Sequence, residues 1–320
     1  MRIRKPKHSP NPNHLAKSLF LNAAICCVIL QSHAAAQKPT IIKLQKILDG
    51  KQACATTGIQ FISETEVLLL VGPGSNCYRS VNDLELVVIS TDGRLVARKA
   101  WPSTYPVVVF RPSLVALAEI GHILVLDDHL QPVTTLAVPD SSKQAIIFLA
   151  TDGLGNLFAR EPRGKNFEYS GDPLHLVETE TSHTGPSTLF TFPDGREVTQ
   201  ADSKLLISVP DGAPRTLADI SWVEGCKGLC QSYDAGFSRR IAVGKKKRML
   251  FIANGSKFPV TDAAGLFPYF RVAVFDLDSG AEVYRRQYIT QTSNRSAGIS
   301  PDGDRIALLD HDQIRVESLP

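Results

Sequence analysis

The sequence predicts an all-β protein built from repeated groups of short strands. Beyond residue 36, no stretch holds apolar residues at positions i, i+3, i+4 and i+7 over three helical turns, which is the pattern of an amphipathic helix. Apolar or alternating runs of four to eight residues, typical of strands, recur instead at 66–72, 84–90, 122–127, 144–149, 204–209, 248–253 and 271–275. Asp-Gly pairs, which favour tight turns because both residues tolerate positive φ, begin at Asp92, Asp152, Asp194, Asp211 and Asp302.

The spacing of the turns indicates a repeat. If each unit has four strands, named a to d, the a–b turns fall near residues 64, 112, 152, 194, 245 and 302. The c–d turns fall near residues 92, 128, 171, 211 and 278. Four-stranded units of roughly 40–50 residues are typical of the radial blades of a β-propeller. The sequence therefore predicts a six-bladed β-propeller, with five or seven blades as alternatives if the long fifth unit is divided or a short unit is merged.

The two ends of the chain complete the ring in this scheme. The sixth unit has three strands, at 296–300, 305–310 and 313–318, and the chain reaches Pro320 without a fourth. Residues 41–48 precede the first unit and have no partner within it. We therefore expect 41–48 to pair with the last blade as its outer strand, because this pairing removes exposed edges from the ring. An open β-sandwich would explain the strands but not this matching of the ends.

Two short segments resemble known propeller repeats. Residues 299–307, ISPDGDRIA, resemble the S-P-D-G-x-x-I-A segment of the WD40-like repeats in bacterial propellers of the TolB type. Residues 152–158, DGLGNLF, are similar to the D-x-x-G-N-L-Y segment of six-bladed propellers such as the NHL and gluconolactonase-like groups. The resemblance to these groups implies a bacterial secreted propeller. Each resemblance is confined to one a–b hairpin, so it implies no catalytic group. The Trp-Asp signature of eukaryotic WD40 blades is absent from the sequence.

The first 36 residues have the pattern of a cleaved secretory signal peptide. Residues 1–17 carry five basic residues and no acidic one, residues 18–30 form an apolar run, and Ala34 to Ala36 supply the small residues of a cleavage site. We expect cleavage after Ala36, which leaves 37–320 as one secreted or periplasmic propeller domain. A run of 13 apolar residues is too short for a hydrocarbon core of about 30 Å, so no stable membrane span is expected after cleavage. A retained anchor is the alternative.

The mature chain has no overall charge that would attract nucleic acid. Removing the five basic residues of the leader from the 35 leaves 30 Lys and Arg against 32 Asp and Glu, a net charge of −2. Binding to nucleic acid or to anionic lipid depends on a positive surface, so neither partner is expected. One basic cluster remains between residues 239 and 248, and we interpret it as a solvated turn between two strands rather than an anion site.

Four cysteines remain after cleavage, and an even number in an exported protein favours disulfide bonds over metal ligation. They are Cys54, Cys77, Cys226 and Cys230. Three pairings are open, of which the local one joins Cys54 to Cys77 and Cys226 to Cys230. Cys54 and Cys77 fall in a d–a and a b–c connection, and these connections emerge on the same face of a propeller. The Cys54–Cys77 pairing is therefore geometrically permitted.

The face that carries the d–a and b–c connections, here called the loop face, is the predicted binding site. The two longest irregular stretches, 220–235 and 254–270, belong to this face. Binding concentrates in long ordered loops on a rigid scaffold. The residues predicted to contact a ligand are Arg79, Trp222, Glu224, Tyr233, Asp262, Tyr269 and Arg295. Such side chains suit stacking on a sugar or a peptide, and the alternative is that the aromatic residues only cap the blade edges.

The sequence contains no catalytic motif. It lacks G-x-S-x-G, H-E-x-x-H and a phosphate-binding glycine loop, and its histidines are spread singly without metal-ligand spacing. No cofactor and no metal are therefore expected. The favoured function is a non-catalytic scaffold that binds a protein, a peptide or a glycan.

Two other functions remain open from the sequence. A metal-assisted hydrolase or lactonase of the six-bladed type would need Glu, Asn and Asp around a divalent cation in the central channel. Glu64, Asn156 and Asp302 are of the right types, but the scheme puts them in a–b turns, on the face opposite the loop face. A purely structural envelope protein, with neither ligand nor activity, is the third hypothesis.

Overall fold

The computed structural model describes most of the chain from Lys38 onward. The described ranges are 38–54, 58–73, 83–101, 106–138, 146, 148–151, 155–160, 166–177, 188–192, 194–210, 212–224, 230–259, 267–289 and 295–320. Pro39–Pro320 form one compact unit. Within the described ranges its regular structure is 25 strands and one short helix.

The strands are numbered in chain order and fall into blades. A single strand, β1 (Thr40–Lys43), comes first. The first blade contains β2 (Gln52–Ala53), β3 (Gln60–Phe61), β4 (Glu66–Gly72), β5 (Glu85–Ser90) and β6 (Leu95–Ala100). The second contains β7 (Val107–Arg111), β8 (Leu114–Glu119), β9 (His122–Leu126) and β10 (Pro132–Ala137). The third contains β11 (Phe148–Thr151), β12 (Leu157–Arg160), β13 (Asn166–Ser170) and β14 (His175–Val177).

The second half of the chain repeats this arrangement. The fourth blade contains β15 (Thr188–Thr191), β16 (Glu197–Ala201), β17 (Lys204–Ser208) and β18 (Arg215–Asp219). Helix α1 (Ser221–Glu224) follows it. The fifth contains β19 (Cys230–Ala242), β20 (Arg248–Pro259), β21 (Phe267–Asp276) and β22 (Glu282–Ile289). The sixth contains β23 (Arg295–Ile299), β24 (Arg305–Asp310) and β25 (Gln313–Ser318).

Six small antiparallel sheets form a six-bladed β-propeller, as the sequence predicted. Strands that follow one another along the chain are neighbours in each sheet, from the inner strand a to the outer strand d. In the first blade, β2 and β3 share the inner position, since both pair with β4. The a–b and c–d turns lie between the strands where the Asp-Gly pattern put them.

The ring is closed by the first strand. Thr40 pairs with Val316 and Lys43 pairs with Gln313, so β1 is the outer strand of the sixth blade. The prediction of this closure is confirmed, but the strand is shorter than the predicted 41–48. Residues 44–50 form a turn instead, and in it Leu44 and Leu48 are buried in the cluster between the sixth and first blades. Leu44 and Leu48 are apolar because they fill this core. The sequence 41–48 therefore has the apolar pattern of a longer strand than the one that forms.

The central strands are continuously apolar because both of their faces are buried between blades. In β4, Val67 and Leu69 belong to the core cluster shared with the sixth blade, whereas Leu68 and Leu70 belong to the cluster shared with the second. Successive side chains of a strand point to opposite faces, so such a strand has no polar alternation. The predicted run 144–149 fits less well, since β11 starts at Phe148.

Neighbouring a–b turns bond to one another on the face opposite the loop face, here called the turn face. The Ser113 N–H donates to the Ile62 carbonyl at 2.7 Å and joins the second blade to the first. The Asp302 N–H donates to Glu64 Oε1 at 2.5 Å and joins the sixth blade to the first. These bonds link neighbouring blades outside their sheets.

The basic cluster between residues 239 and 248 includes the a–b turn of the fifth blade. Lys245 pairs with Asp302 at 3.1 Å and Lys246 pairs with Asp304 at 3.4 Å, both in the a–b turn of the sixth blade. The hydrogen bond to Asp302 raises the pKa of Lys245 above its ordinary value. The acidic S-P-D-G-D turn therefore offsets the charge of these lysines, which are bound to protein rather than only solvated.

The fifth blade extends past the ring on the loop face. Its strands β19, β20 and β21 have 13, 12 and 10 residues, whereas the inner strands of the second, third, fourth and sixth blades have four or five. Residues 230–236, 254–259 and 267–269 form the extra part, here called the projection. At about 3.3 Å per residue, six additional residues lengthen a strand by about 20 Å. The prediction of irregular stretches at 220–235 and 254–270 is therefore wrong for the residues that pair.

Candidate functional site

The projection brings two of the predicted site residues to neighbouring positions. Tyr233 in β19 pairs with Ser256 in β20, and Tyr269 in β21 pairs with Gly255 in β20. Ser256 and Gly255 are consecutive, so the two tyrosines are one register position apart on a single three-stranded sheet and lie on its opposite faces. Sequence reasoning named both residues but put them in loops.

A β-bulge interrupts β19 within the projection. Asp234 and Ala235 lie opposite the single residue Gly255 of β20. A bulge leaves an extra residue unpaired, bends the strand and increases its twist. Bulges are common at sheet edges and beside functional sites. β19 is the first strand of its sheet, so it forms one edge of the projection.

Trp222 contacts the outer part of the fifth blade. Its indole Nε1 donates a hydrogen bond of 2.9 Å to Glu282 Oε2, and Cζ of Arg285 lies 4.1 Å from the ring centroid. The Trp222 carbonyl accepts a hydrogen bond from Nη1 of Arg271. Glu282 begins β22 at the c–d end, so the indole side chain lies along the blade rather than toward the projection. These contacts favour the alternative interpretation, in which Trp222 fixes the fifth blade beside the fourth.

Arg295 forms a similar contact on the other side of the fifth blade. Its Nε donates to Asp310 Oδ1 at 2.8 Å, and its Cζ lies 4.5 Å from the ring centroid of Tyr288 in β22. Its side chain is only 12% exposed. Stacking of a guanidinium on an aromatic ring is favourable, and more so where water is excluded. Arg295 therefore joins the sixth blade to the fifth and offers little surface to a ligand.

The other predicted site residues are only partly described. Glu224 is the last residue of α1. Arg79 and Asp262 lie outside the described residues, so their place in a site stays a prediction.

The predicted disulfides fall mostly outside the described ranges. Cys54 is buried, and it is not a free thiol. Cys77 and Cys226 are not described, and Cys230 begins β19. The pairings of Cys54 with Cys77 and of Cys226 with Cys230 therefore remain predictions.

Arg240 reaches from the fifth blade past the sixth to the first. It belongs to the inner strand of the fifth blade, whereas Gly58 precedes the inner strand β3 of the first. A Cβ atom on Gly58 would lie 2.8 Å from Arg240 Nη2 and 2.6 Å from Ser296 Oγ. Ser296 belongs to the inner strand of the sixth blade, which stands between the other two, so the guanidinium passes beside that strand. Burial lowers the pKa of Arg240 to about 10, so the guanidinium stays charged at neutral pH.

The residues considered for a divalent cation do not converge on the channel. Glu64 and Asp302 meet through a hydrogen bond in the a–b turns, on the turn face as predicted. In the part of the chain that is described, no group of three or more His, Cys, Asp and Glu residues could hold a metal ion.

Sequence reasoning missed the residues that hold the fifth blade in place. Arg285 and Arg286 are consecutive in β22, and they serve opposite faces. Arg285 covers Trp222, and Arg286 pairs with Glu317 of the sixth blade at 3.1 Å. The two-residue period of a strand predicts opposite faces for adjacent arginines. Their partners come from distant parts of the chain, which no local pattern indicates.

The sheets and their closure define the class of this protein as a six-bladed β-propeller. No protein-family model matches the chain, and no curated protein matches it. The resemblance to TolB-type and NHL-type repeats therefore stays a prediction. Among the described residues, no helix is long and apolar enough to cross a membrane.

Several solved structures are similar in fold. A member of the DUF4221 family from Bacteroides vulgatus has a TM-score of 0.46 at 8% identity over 89% of this chain and 97% of its own. The WD40 domain of Pan2 from Neurospora crassa has a TM-score of 0.41 at 9% identity, over 88% and 95%. A chain of a mitotic checkpoint complex has a TM-score of 0.41 at 10% identity, over 88% and 91%.

Proposed function

We propose that this propeller is a non-catalytic binding scaffold and that its projection, on the loop face, is the binding surface. One observation carries the proposal, which is that a single blade extends its sheet past the ring while the inner strands of four others stop after four or five residues. A longer sheet exposes more backbone and side-chain surface to water, which costs stability unless the surface is used. Its ordered strands suit a partner that needs a fixed surface.

The composition of the projection supports contact with a protein, a peptide or a glycan. The projection contains four aromatic residues, Tyr233, Phe258, Phe267 and Tyr269. Tyr and Phe are enriched where proteins bind one another because they bury a large apolar area with few rotatable bonds. The stacks of Trp222 on Arg285 and of Tyr288 on Arg295 flank the fifth blade, so they support the base of the projection rather than the contact itself.

We also propose that the protein works outside the cytoplasm. The basic and apolar leader supports this, as does the even number of cysteines in the rest of the chain. Sequencing the N-terminus of the purified native protein tests it, and the expected first residue is Gln37. A protein that keeps Met1 and stays with the membrane fraction would contradict cleavage and favour the anchored alternative.

The hydrolase alternative receives no support from a specific contact. Glu64 and Asp302, two of the residues that such an enzyme would need, are instead hydrogen-bonded to each other in turns on the turn face. A metal bound only by the folded state must raise the unfolding temperature. We expect no rise in Tm with Ca²⁺ or Zn²⁺ at millimolar concentration. A saturable rise in Tm would favour the metal-assisted hydrolase over the non-catalytic scaffold.

Photo-crosslinking tests the proposed surface. A photoreactive phenylalanine analogue is introduced at Tyr233, at Tyr269 and, as the control, at Val133, which is 56% exposed on the outer strand β10 of the second blade. In cells that produce the protein, we expect adducts to the same partner from positions 233 and 269, which lie on the two faces of the projection, and none from position 133. An adduct of equal yield from all three positions, or from position 133 alone, would show that the projection is not the binding surface.

A further inference from the structure

The inner edge of the projection is a row of backbone groups without a neighbouring strand. β19 pairs with β20 on one side, and no other described strand pairs with it. In an antiparallel strand, the N–H and C=O groups of alternate residues point away from the paired neighbour. Over Cys230–Gly236 these outward groups lie past the level of the ring, where the inner strands of the other described blades have ended.

We propose that this edge binds an extended segment of another polypeptide, which adds to the sheet as a further strand beside β19. This inference rests on the proposed binding role of the projection and names its partner class. Strand addition takes its affinity from main-chain hydrogen bonds, so it selects an extended backbone, which a glycan does not have. A partner segment of about six residues would cover Cys230–Gly236.

The sequence of the edge does not guard against such pairing. Natural edge strands are commonly blunted by Lys, by Pro or by a run of charges. Cys230–Gly236 contains no Lys and no Pro, and Asp234 is its single charged residue. The bulge at Asp234 and Ala235 is the one protective feature of the segment. A bulge limits the length of pairing without preventing it, which suits a short segment better than a long one.

The position of Asp234 favours a different chain over a second copy of this one. Two copies that paired antiparallel about the middle of this segment would bring their Asp234 residues to within two positions of each other. Like charges that close on paired strands are destabilising. Two bulges would also face each other, so the edges would bend apart on both sides. A partner segment with Lys or Arg opposite Asp234 avoids the repulsion and gains an attraction.

Proline substitutions separate edge pairing from contact through side chains. Gln231 and Ser232 are adjacent and regularly paired with Phe258 and Lys257. One of the two turns its N–H toward β20 and the other turns it outward, so Gln231→Pro and Ser232→Pro differ in which bond they remove. The outward variant should keep the unfolding temperature of the parent protein while losing a donor to the partner. Thr135→Pro, on the outer strand β10, is the control for the substitution itself.

The probe is a displayed library of random twelve-residue peptides selected on the mature protein. We expect selected peptides to be rich in β-branched residues, to carry a basic residue, and to lose at least tenfold in affinity for the outward proline variant but not for Thr135→Pro. Replacing Asp234→Asn should remove the preference for a basic residue. Methylating the backbone nitrogens of alternate peptide residues should abolish binding when those N–H groups face β19. It should spare binding when those N–H groups point away from β19.

Each other outcome counts against the inference. Equal affinity for both proline variants and the parent, or no selected peptide, would overturn strand addition. If the adducts from positions 233 and 269 persist in that case, the binding surface stands and only its mode is wrong. A concentration-dependent dimer in sedimentation that the outward proline variant abolishes would identify a second copy of this chain as the occupant.

Discussion

The Gln60 side chain joins the inner strands of the first two blades. Its Nε2 donates to the Val107 carbonyl at 3.1 Å, and its Oε1 accepts from the Val109 N–H at 2.9 Å. The amide therefore acts as a short piece of strand between β3 and β7. Buried backbone groups that lose a partner cost more than a hydrogen bond gains, because they remain desolvated.

We expect Gln60→Leu to destabilise the fold by about 2–4 kcal/mol, since two buried backbone groups would each lose a partner worth about 1–3 kcal/mol. The volume hardly changes, so packing does not confound the result. Gln131→Leu, in the exposed c–d turn of the second blade, is the control and should change stability by less than about 0.5 kcal/mol. Equal effects of the two changes in urea unfolding would show that the Gln60 bridge does not form.

The carboxylate of Asp276 gives stability a dependence on pH. Burial alone would raise its pKa, but hydrogen bonds from the Ser279 N–H at 2.8 Å and Oγ at 2.7 Å, together with the charge of Arg248, lower the pKa below 3.8. A carboxyl group with a lower pKa in the folded state stabilises the fold above its unfolded pKa, and the contribution is lost as the pH falls through the folded value.

We therefore expect the free energy of unfolding of the parent protein to exceed that of Asp276→Asn most clearly above about pH 4, where the carboxyl group is ionised even in the unfolded chain. The difference should shrink as the pH falls from 5 toward 2. Urea unfolding across this range measures it. A difference that stays constant or grows in acid would mean that the folded state does not favour the ionised form.

Gly298 lets the inner strand of the last blade approach the first blade closely. A Cβ atom at this position would lie 2.6 Å from the Ile59 carbonyl oxygen, which is backbone and cannot move aside alone. In addition, the Ile59 N–H donates to Ser296 Oγ at 3.2 Å in the same seam. The strand β23 therefore needs a glycine where its backbone meets the residues before β3.

We expect Gly298→Ala to lower stability by about 2 kcal/mol or more, in the range of overpacked core substitutions. Gly50→Ala is the comparison, because Gly50 has positive φ but no atom near its missing Cβ, so it reports the backbone penalty of about 1–2 kcal/mol without a clash. Thermal unfolding of both variants distinguishes them. A Gly298→Ala variant as stable as the parent would contradict the close seam.

Two neighbouring isoleucines of the closing strand β1 differ in burial, and they test whether the strand is held in the ring. Ile42 is 4% exposed in the core between the sixth and first blades, whereas its neighbour Ile41 is 54% exposed. We expect Ile42→Ala to cost about 2–5 kcal/mol and Ile41→Ala less than about 0.5 kcal/mol. Equal costs in urea unfolding would mean that β1 is not held in the ring as described.

The turns could be predicted from the sequence because their signal is local. Asp92-Gly93 and Asp302-Gly303 lie in turns in which Gly93 has φ 91° and Gly303 has φ 75°, conformations that glycine adopts without strain. The projection could not be predicted in this way. Its strand β19 reads CQSYDAGFSRRIA, without alternation, and it is extended because β20 pairs with it from Cys230 to Ala242, apart from the bulge. Tertiary pairing overrides a weak local preference.

The candidate site was predictable only in part for a related reason. The composition indicated which residues are suited to binding, and the topology put Tyr233 and Tyr269 one register position apart. Trp222 and Arg295 have the same residue types, but their partners Glu282 and Tyr288 are supplied by β22. A sequence pattern cannot distinguish an aromatic residue that binds a ligand from one that stacks within the fold.

In the whole molecule as far as it is described, the fifth blade is the one whose strands extend past the ring, and the other blades form its base. Blades are linked at the core by shared apolar clusters and at the turn face by bonds between turns. The guanidinium of Arg240 links the fifth blade to Gly58 of the first, past Ser296 of the sixth. We propose the loop face, with its projection, as the recognition surface on this base.

Hydrogen–deuterium exchange measures directly whether Cys230–Gly236 is the edge that binds the partner. It is run on the mature protein alone, with the partner trapped by crosslinking at position 233, and with a selected peptide. We expect binding to slow the exchange of amides in Cys230–Gly236 and to leave the outer strand β10 and the turn face unchanged. Protection confined to the turn face or to the outer strands, with Cys230–Gly236 exchanging as fast as in the free protein, would contradict it.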